Sequence, residues 1–174
     1  MSNPTTDGTH RMFLLDGRHA ITKRRHDMPA DFFEAEARGL AVLRDAGALR
    51  VPGVQEFDQS HIVLEDLGHG RPAADYWQRA GVGLAKQHAV AGTCFGFNHD
   101  GFCGDSPQDN TPDDDGWRFF ADRRLLPQMR RARDDGLIDA ADTARIESLC
   151  ANLREHIPDM PPVLLHGDLR SGNL

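Results

Sequence analysis

The chain has 174 residues, of which 39% are hydrophobic and 27% charged, and 20 Lys+Arg stand against 27 Asp+Glu for a net charge of −7. That length suits about one domain with its own core, and the composition excludes a disordered chain. Aliphatic runs no longer than Ile62-Val63-Leu64 exclude a membrane-spanning helix of about 20 residues. A single Tyr and no basic tract argue against a nucleic-acid binder. The polar opening MSNPTTDGTHR lacks the apolar stretch of a secretory signal. Cys94, Cys103 and Cys150 are odd in number and show no CxxC spacing, which predicts neither a zinc site nor disulfides and points to the reducing cytoplasm.

In chain order, Met12 to Leu15, Asp16-Gly17 and Arg18 to Lys23 predict a hairpin with a two-residue turn. Asp31 stands as the N-cap of a helix running from Phe32 to Ala46, with Gly47 as its stop. Val51 to Phe57 and His61 to Leu64 predict a second hairpin around Asp58-Gln59-Ser60. Gly68-His69-Gly70-Arg71-Pro72 then marks a boundary between a strand-rich lobe, residues 1–67, and a mostly helical lobe, residues 68–174. Phe97 to Gly116 predicts a long ordered loop, and Arg130-Arg131-x-Arg133 a solvated helix face. Ile146, Leu149, Cys150, Leu153 and Ile157 recur on one helical face. Val163-Leu164-Leu165 predicts a buried strand leading into the last nine residues.

Those residues, HGDLRSGNL, place Asp168 and Asn173 five apart, the H-x-D-x-x-x-x-N spacing of kinase catalytic loops. The chemistry needs a carboxylate to take or orient the proton of an attacking hydroxyl. It also needs an amide oxygen to hold magnesium on the phosphates. A second signal lies in the first helix. At about 100° per residue, Glu36 falls inside the stripe of Phe32, Phe33, Leu40 and Leu43, while Glu34 points away. A carboxylate on that face requires a cation, and Lys23 at the end of the preceding strand is the candidate, as in the strand Lys–helix Glu pair of kinases. Glu65-Asp66-Leu67, where a strand meets the lobe boundary, occupies the place of a hinge whose backbone would hold adenine.

With these residues in order, the chain resembles the fructosamine/ketosamine-3-kinase family, relatives of aminoglycoside and choline phosphotransferases with a protein-kinase-like fold. Phe33 to Ala37, Gly39-Leu40, Arg50-Val51-Pro52 and Val63-Leu64-Glu65 carry the likeness early in the chain. Leu84-Ala85, His88, Phe95-Gly96-Phe97, Gly104, Pro107-Gln108 and Asn110 extend it. Trp117, Phe119-Phe120, Arg124-Leu125, Pro127-Gln128 and HGDLRSGN complete it. The resemblance implies an α+β, two-lobed fold and ATP- and Mg²⁺-dependent phosphorylation of a ketosamine sugar hydroxyl, free or on a glycated protein. Carried over, Lys23 contacts phosphates, Glu36 orients it, and Glu65, Asp66 and Leu67 line the nucleotide. Asp168 is the catalytic base and Asn173 the metal ligand.

Departures from the pattern set the competing expectations. Arg170 stands where the family usually has Trp, and Gly101-Phe102-Cys103-Gly104 where it has Asn-Phe-Ile-Gly. The family pattern also leads one to expect that the phosphate loop before the first hairpin, and the metal-binding Asp beyond Leu174, are wanting. Two alternatives follow: a catalytically silent kinase-like remnant that binds nucleotide or a partner, and an aminoglycoside- or choline-type phosphotransferase. A calcium loop over Thr111–Asp122 is disfavoured, because Thr and Asp stand at its first and twelfth positions. Cys94 and Cys103 are expected to pack quietly in the helical lobe.

Overall fold

The computed structural model describes residues 7–68, 70–170 and 173. Residues 1–6, His69 of the boundary segment, and Ser171, Gly172 and Leu174 of the closing motif lie outside them. The described parts of Met1–Val90 with Leu164–Leu174 form one compact unit, and Ala91–Val163 a second. These packing units do not coincide with the expected lobes, residues 1–67 and 68–174.

The first unit is built on a four-stranded antiparallel sheet ordered β1-β2-β4-β3, from β1 (Gly8–Phe13), β2 (His19–Arg24), β3 (Val54–Phe57) and β4 (His61–Glu65). The first turn is longer than the two residues expected. Leu14 donates to the Arg18 carbonyl at 2.9 Å and Gly17 to the Leu14 carbonyl at 3.0 Å, with Gly17 at φ 85°. That is a three-residue loop closed by a left-handed glycine, which Asp16-Gly17 satisfies as well as a two-residue turn would. β3 begins at Val54 instead of Val51. Pro52 has no N–H for a ladder, and the register of β3 on β4 shifts between Val54 and Glu56.

The helix α1 (Phe32–Asp45) lays Phe33 and Ala37 on Ile62 and Leu64 of β4, with Phe32, Leu40 and Val54 around them. Asp31 occupies the N-cap position, but its carboxylate makes no capping bond; its carbonyl accepts from Ala35 at 2.8 Å. Gly47, at φ 61°, ends the helix as expected. α2 (Tyr76–His88) lies so close to the segment after α1 that a Cβ on Gly83 would stand 2.3 Å from Leu49 Cδ2.

In the second unit the expected loop over 97–116 carries a small hairpin, β5 (Gly101–Cys103) and β6 (Ser106–Gln108), turning at Gly104 with φ 58°. Cys103 is exposed on it, not packed. α3 (Gly116–Phe120) passes through a π-helical turn at Ala121–Leu125 into α4 (Leu126–Asp134), whose second residue, Pro127, has no N–H to donate. Arg130 and Arg133 are exposed as expected, while Arg131 is half-buried and donates to the Pro107 carbonyl at 3.1 Å. The periodic face is cut at Asn152 between α5 (Ala140–Ala151) and α6 (Leu153–His156), so Leu153 is buried while Leu149 and Ile157 are exposed.

Val163-Leu164-Leu165 is not a buried strand. Val163 forms a single bridge with Ala91, Leu164 donates to the Val90 carbonyl at 2.9 Å, and Leu165 is exposed. An extended segment becomes a strand only where a neighbour pairs along it, and among the described residues that pairing stops after one step.

Candidate functional site

The ladder register decides which face Lys23 occupies. Lys23 stands opposite Ile62, and cross-strand partners share a face, so its side chain projects with Ile62 toward α1. There Lys23 Nζ donates to Glu36 Oε1, both side chains being partly buried. Glu34, two residues earlier, points outward and pairs with Arg38 one turn on at 2.5 Å. Helical periodicity separated these two glutamates: Glu36 meets the expected Lys23, and Glu34 pairs with Arg38 instead.

At the end of β4 the carboxylates are committed to the protein. Glu65 accepts from Arg50 Nη2 at 2.5 Å and from the Gly53 amide at 3.2 Å, and its own amide donates to the Gly53 carbonyl at 2.7 Å. The Gly53 amide holds the Glu65 carboxyl below its usual range; partial burial opposes this and Arg50 adds to it. Asp66, with a side chain only 6% exposed, pairs with Arg11 Nε at 3.2 Å and accepts from the Gly68 amide at 2.8 Å. Leu67 is exposed. What this segment offers outward is backbone, since no bond to the Leu67 N–H is present among the described residues.

The closing loop turns at Gly167, φ 85°. Asn173 Nδ2 donates to the Asp168 carbonyl at 2.9 Å and to Asp168 Oδ2 at 2.7 Å, and the Asn173 amide donates to the Arg170 carbonyl at 2.9 Å. The five-residue spacing thus folds back on itself. Arg170 Nε lies 3.6 Å from Asp168 Oδ2, with both side chains well exposed. That contact was not foreseen; the signal was the cation standing where the family pattern has an indole. Arg11, Arg50 and Gly53 are the other contributors that sequence reasoning left without a role. Among the described residues, no hydrogen bond or ion pair joins Lys23–Glu36 to Asp168–Asn173.

The oxygen donors at the loop suit a small hard cation. Asn173 spends its NH₂ on Asp168, which leaves Oδ1 as the amide's ligating atom beside a carboxylate. Among the described residues no group of three or more His, Cys, Asp or Glu is placed to hold a metal by itself. The donor set present, an Asp168 carboxylate oxygen and Asn173 Oδ1, is of the hard-oxygen kind that a magnesium ion shared with phosphates and water would take.

The most motif-rich stretch makes a different kind of cluster, inside the second unit. Arg124 donates to Asn110 Oδ1 and to the Asp109 carbonyl (2.8 Å), and its guanidinium lies 4.6 Å above the Phe119 ring. Asn110 in turn donates to the His99 carbonyl at 3.0 Å and, through its amide, to Asp100 at 2.8 Å. A Cβ on Gly96, at φ 107°, would stand 2.5 Å from the Asn110 carbonyl. Asp115 caps α3 and pairs with Arg154 at 2.5 Å, Arg154 covers Trp117, and Trp117 Nε1 donates to the Ile157 carbonyl at 2.9 Å. Asp113 binds Arg118 through both oxygens, at 2.6 and 2.8 Å. With Asp113 and Asp115 so engaged, the disfavoured calcium loop has lost its acids to arginines.

Comparison with known proteins finds relatives over nearly the whole chain. A sequence model described as fructosamine kinase matches residues 8–174. A ketoamine kinase candidate from Synechocystis is 34% identical over 167 residues, covering 92% of this chain and 56% of its own length. The chloroplastic protein-ribulosamine 3-kinase of Arabidopsis thaliana is 31% identical over 172 residues, covering 93% and 52%. The crystal structure of a candidate fructosamine-3-kinase from Thermobifida fusca superposes with a TM-score of 0.86 at 34% identity, over 95% of this chain and 59% of that one. The kinase-like fold follows from that superposition, and the chain spans about half the length of the curated relatives it matches. With the match running from the first strand through the closing loop, the chain belongs to the fructosamine kinase family.

Proposed function

We propose that the protein phosphorylates the sugar hydroxyl of ketosamines at the expense of ATP, in the cytoplasm. Residues 1–67 serve as its nucleotide lobe and residues 68–174 as part of its helical lobe. The observation that carries this reading is the coexistence, in one compact unit, of the Lys23–Glu36 ion pair and the Asp168–Asn173 turn. Family membership favours a ketosamine over an aminoglycoside or choline. Three unpaired cysteines favour a reducing compartment, and no helix of the described residues is long and apolar enough to cross a membrane.

In this reading Lys23 places its positive charge on the nucleotide phosphates, and Glu36 holds the ammonium on the α1 face of the sheet. The Asp66–Leu67 backbone receives the adenine edge. Asp168 accepts the proton of the sugar hydroxyl as the oxygen attacks the γ-phosphorus and the bond from that phosphorus to the β-phosphate oxygen breaks, releasing ADP. The Asn173 NH₂ keeps that carboxylate aimed. Asn173 Oδ1, together with the phosphates, would hold magnesium, which would supply charge neutralisation. Positioning and charge supply most of phosphoryl-transfer catalysis, so an exposed Asp suffices as base.

Incubation with Mg²⁺–ATP and a fructosamine or ribulosamine, followed by phosphorus NMR, yields a new sugar phosphate and ADP. Absence of both from every ketosamine in a panel rejects the reading. The contact of Arg170 with Asp168 favours one rival, nucleotide binding without turnover. Calorimetric ATP binding without product identifies that rival.

A further inference from the structure

The segment after α1 and the end of β4 are joined by a clasp that no motif announces. Arg50, Val51, Pro52 and Gly53 follow the helix stop, and Glu65 holds them at two points, charge to charge at Arg50 and charge to amide at Gly53. The backbone pair from the Glu65 amide to the Gly53 carbonyl makes a third tie at 2.7 Å. Because Pro52 and the register shift after Val54 keep this stretch out of the ladder, the side chain replaces bonds the sheet cannot make. On the other side, Arg11 and the Gly68 amide fix Asp66, the next residue.

We infer that the Arg50–Glu65–Gly53 clasp is a positioning device that fixes the backbone at Asp66 and Leu67 and thereby sets nucleotide affinity. The inference rests on the nucleotide reading above, yet the clasp has its own observable. Neither carboxylate touches nucleotide in this account: Glu65 and Asp66 are occupied by Arg50, Gly53, Arg11 and Gly68, and the hinge works through its main chain. Glu65 therefore acts as a positioning residue, not as a ligand.

The test uses Arg50→Ala, Arg50→Lys and Glu65→Gln in the full chain. Arg50 is well exposed, so its replacement leaves the core intact. Amide hydrogen exchange should quicken at Gly53, Asp66 and Leu67 in Arg50→Ala and Glu65→Gln, with α4 and α5 unchanged. The dissociation constant for ATP should rise about 3-fold in Arg50→Ala and about 10-fold in Glu65→Gln, as expected for an exposed ion pair and a charge-assisted bond to an amide. Arg50→Lys should restore most of both. Where turnover is measured, Arg50→Ala should raise KM for ATP while leaving kcat and the ketosamine KM in place. Unchanged exchange in Arg50→Ala overturns the clasp, whatever happens to ATP. Faster exchange with unchanged ATP affinity overturns its link to the nucleotide. If the unaltered chain binds no ATP, the nucleotide reading fails together with that link, while exchange still decides whether the clasp holds the backbone.

Discussion

The closing loop and the Arg124 cluster both carry residues of the family pattern, yet they differ in nearly every physical respect. Asp168 is 73% exposed, accepts from one side chain and stands in a turn opened by a glycine. Arg124 is half-buried, bonded at Asn110 and Asp109, and stacked on Phe119. Burial lowers the pKa of its guanidinium, against the raising influence of Asp109. A reacting group must stay reachable and only lightly bonded, whereas a group that shapes a unit is most effective when every donor is used. Specificity of a motif therefore does not measure closeness to the chemistry. In the proposed reading, the stretch most typical of the family is its scaffold.

Four experiments would break or sharpen that contrast. Asp168→Asn should cut turnover by about 10²–10⁴-fold with the thermal midpoint unchanged, because the side chain is exposed and its role is proton transfer. A variant that unfolds instead would make Asp168 structural. Arg124→Ala should behave in the opposite way. Loss of its donors and its stacking should cost about 2–4 kcal/mol and loosen exchange protection across the second unit. Gly96→Ala should act in the same direction, and full stability in both would dissolve the scaffold reading.

The third experiment uses acid. Arg118, with the Asp115 amide, holds the Asp113 carboxyl down to about 2. At Asp58 burial raises the value, but bonds from Ser60 and His61 outweigh it and bring it to about 2 as well. Carboxyls depressed in the fold contribute stability that is complete above their ordinary value of about 4, and it is lost as pH falls toward 2. Melting temperature should therefore drop through that window, and Asp113→Asn should flatten the drop for the second unit. An unaltered acid limb would show that the bidentate pair contributes nothing. The smallest effect is expected at Arg170→Trp. Removing a guanidinium 3.6 Å from Asp168 in an exposed setting should raise turnover about 2-fold. A fall would mean that Arg170 assists.

Much of this was legible in order and spacing. The separation of Glu36 from Glu34 needs only a 3.6-residue period, and the stop at Gly47 needs only a residue that tolerates φ 61°. The strand at Val163-Leu164-Leu165 was not legible correctly, because an apolar run declares burial and extension but not the neighbour it must pair with. Arg131 was misread for a related reason, since its partner, the Pro107 carbonyl, lies 24 positions away in sequence. Arg50 and Gly53 showed nothing locally that linked them to Glu65.

What the sequence by itself determined is periodic and short-range: the helix faces, the turn glycines, the Asp168–Asn173 spacing and the family. These depend on residues within a few turns of one another, where geometry is nearly invariant. Beyond the Lys23–Glu36 pair, only the tertiary structure decided which charges are spent. Glu65 and Asp66 went to Arg50, Gly53, Arg11 and Gly68, Asp113 and Asp115 to arginines, and Asp168 kept a light grip on Asn173. Charge pairing acts over a few ångströms in space without regard to separation along the chain, so its partners emerge only when the backbone has brought them together.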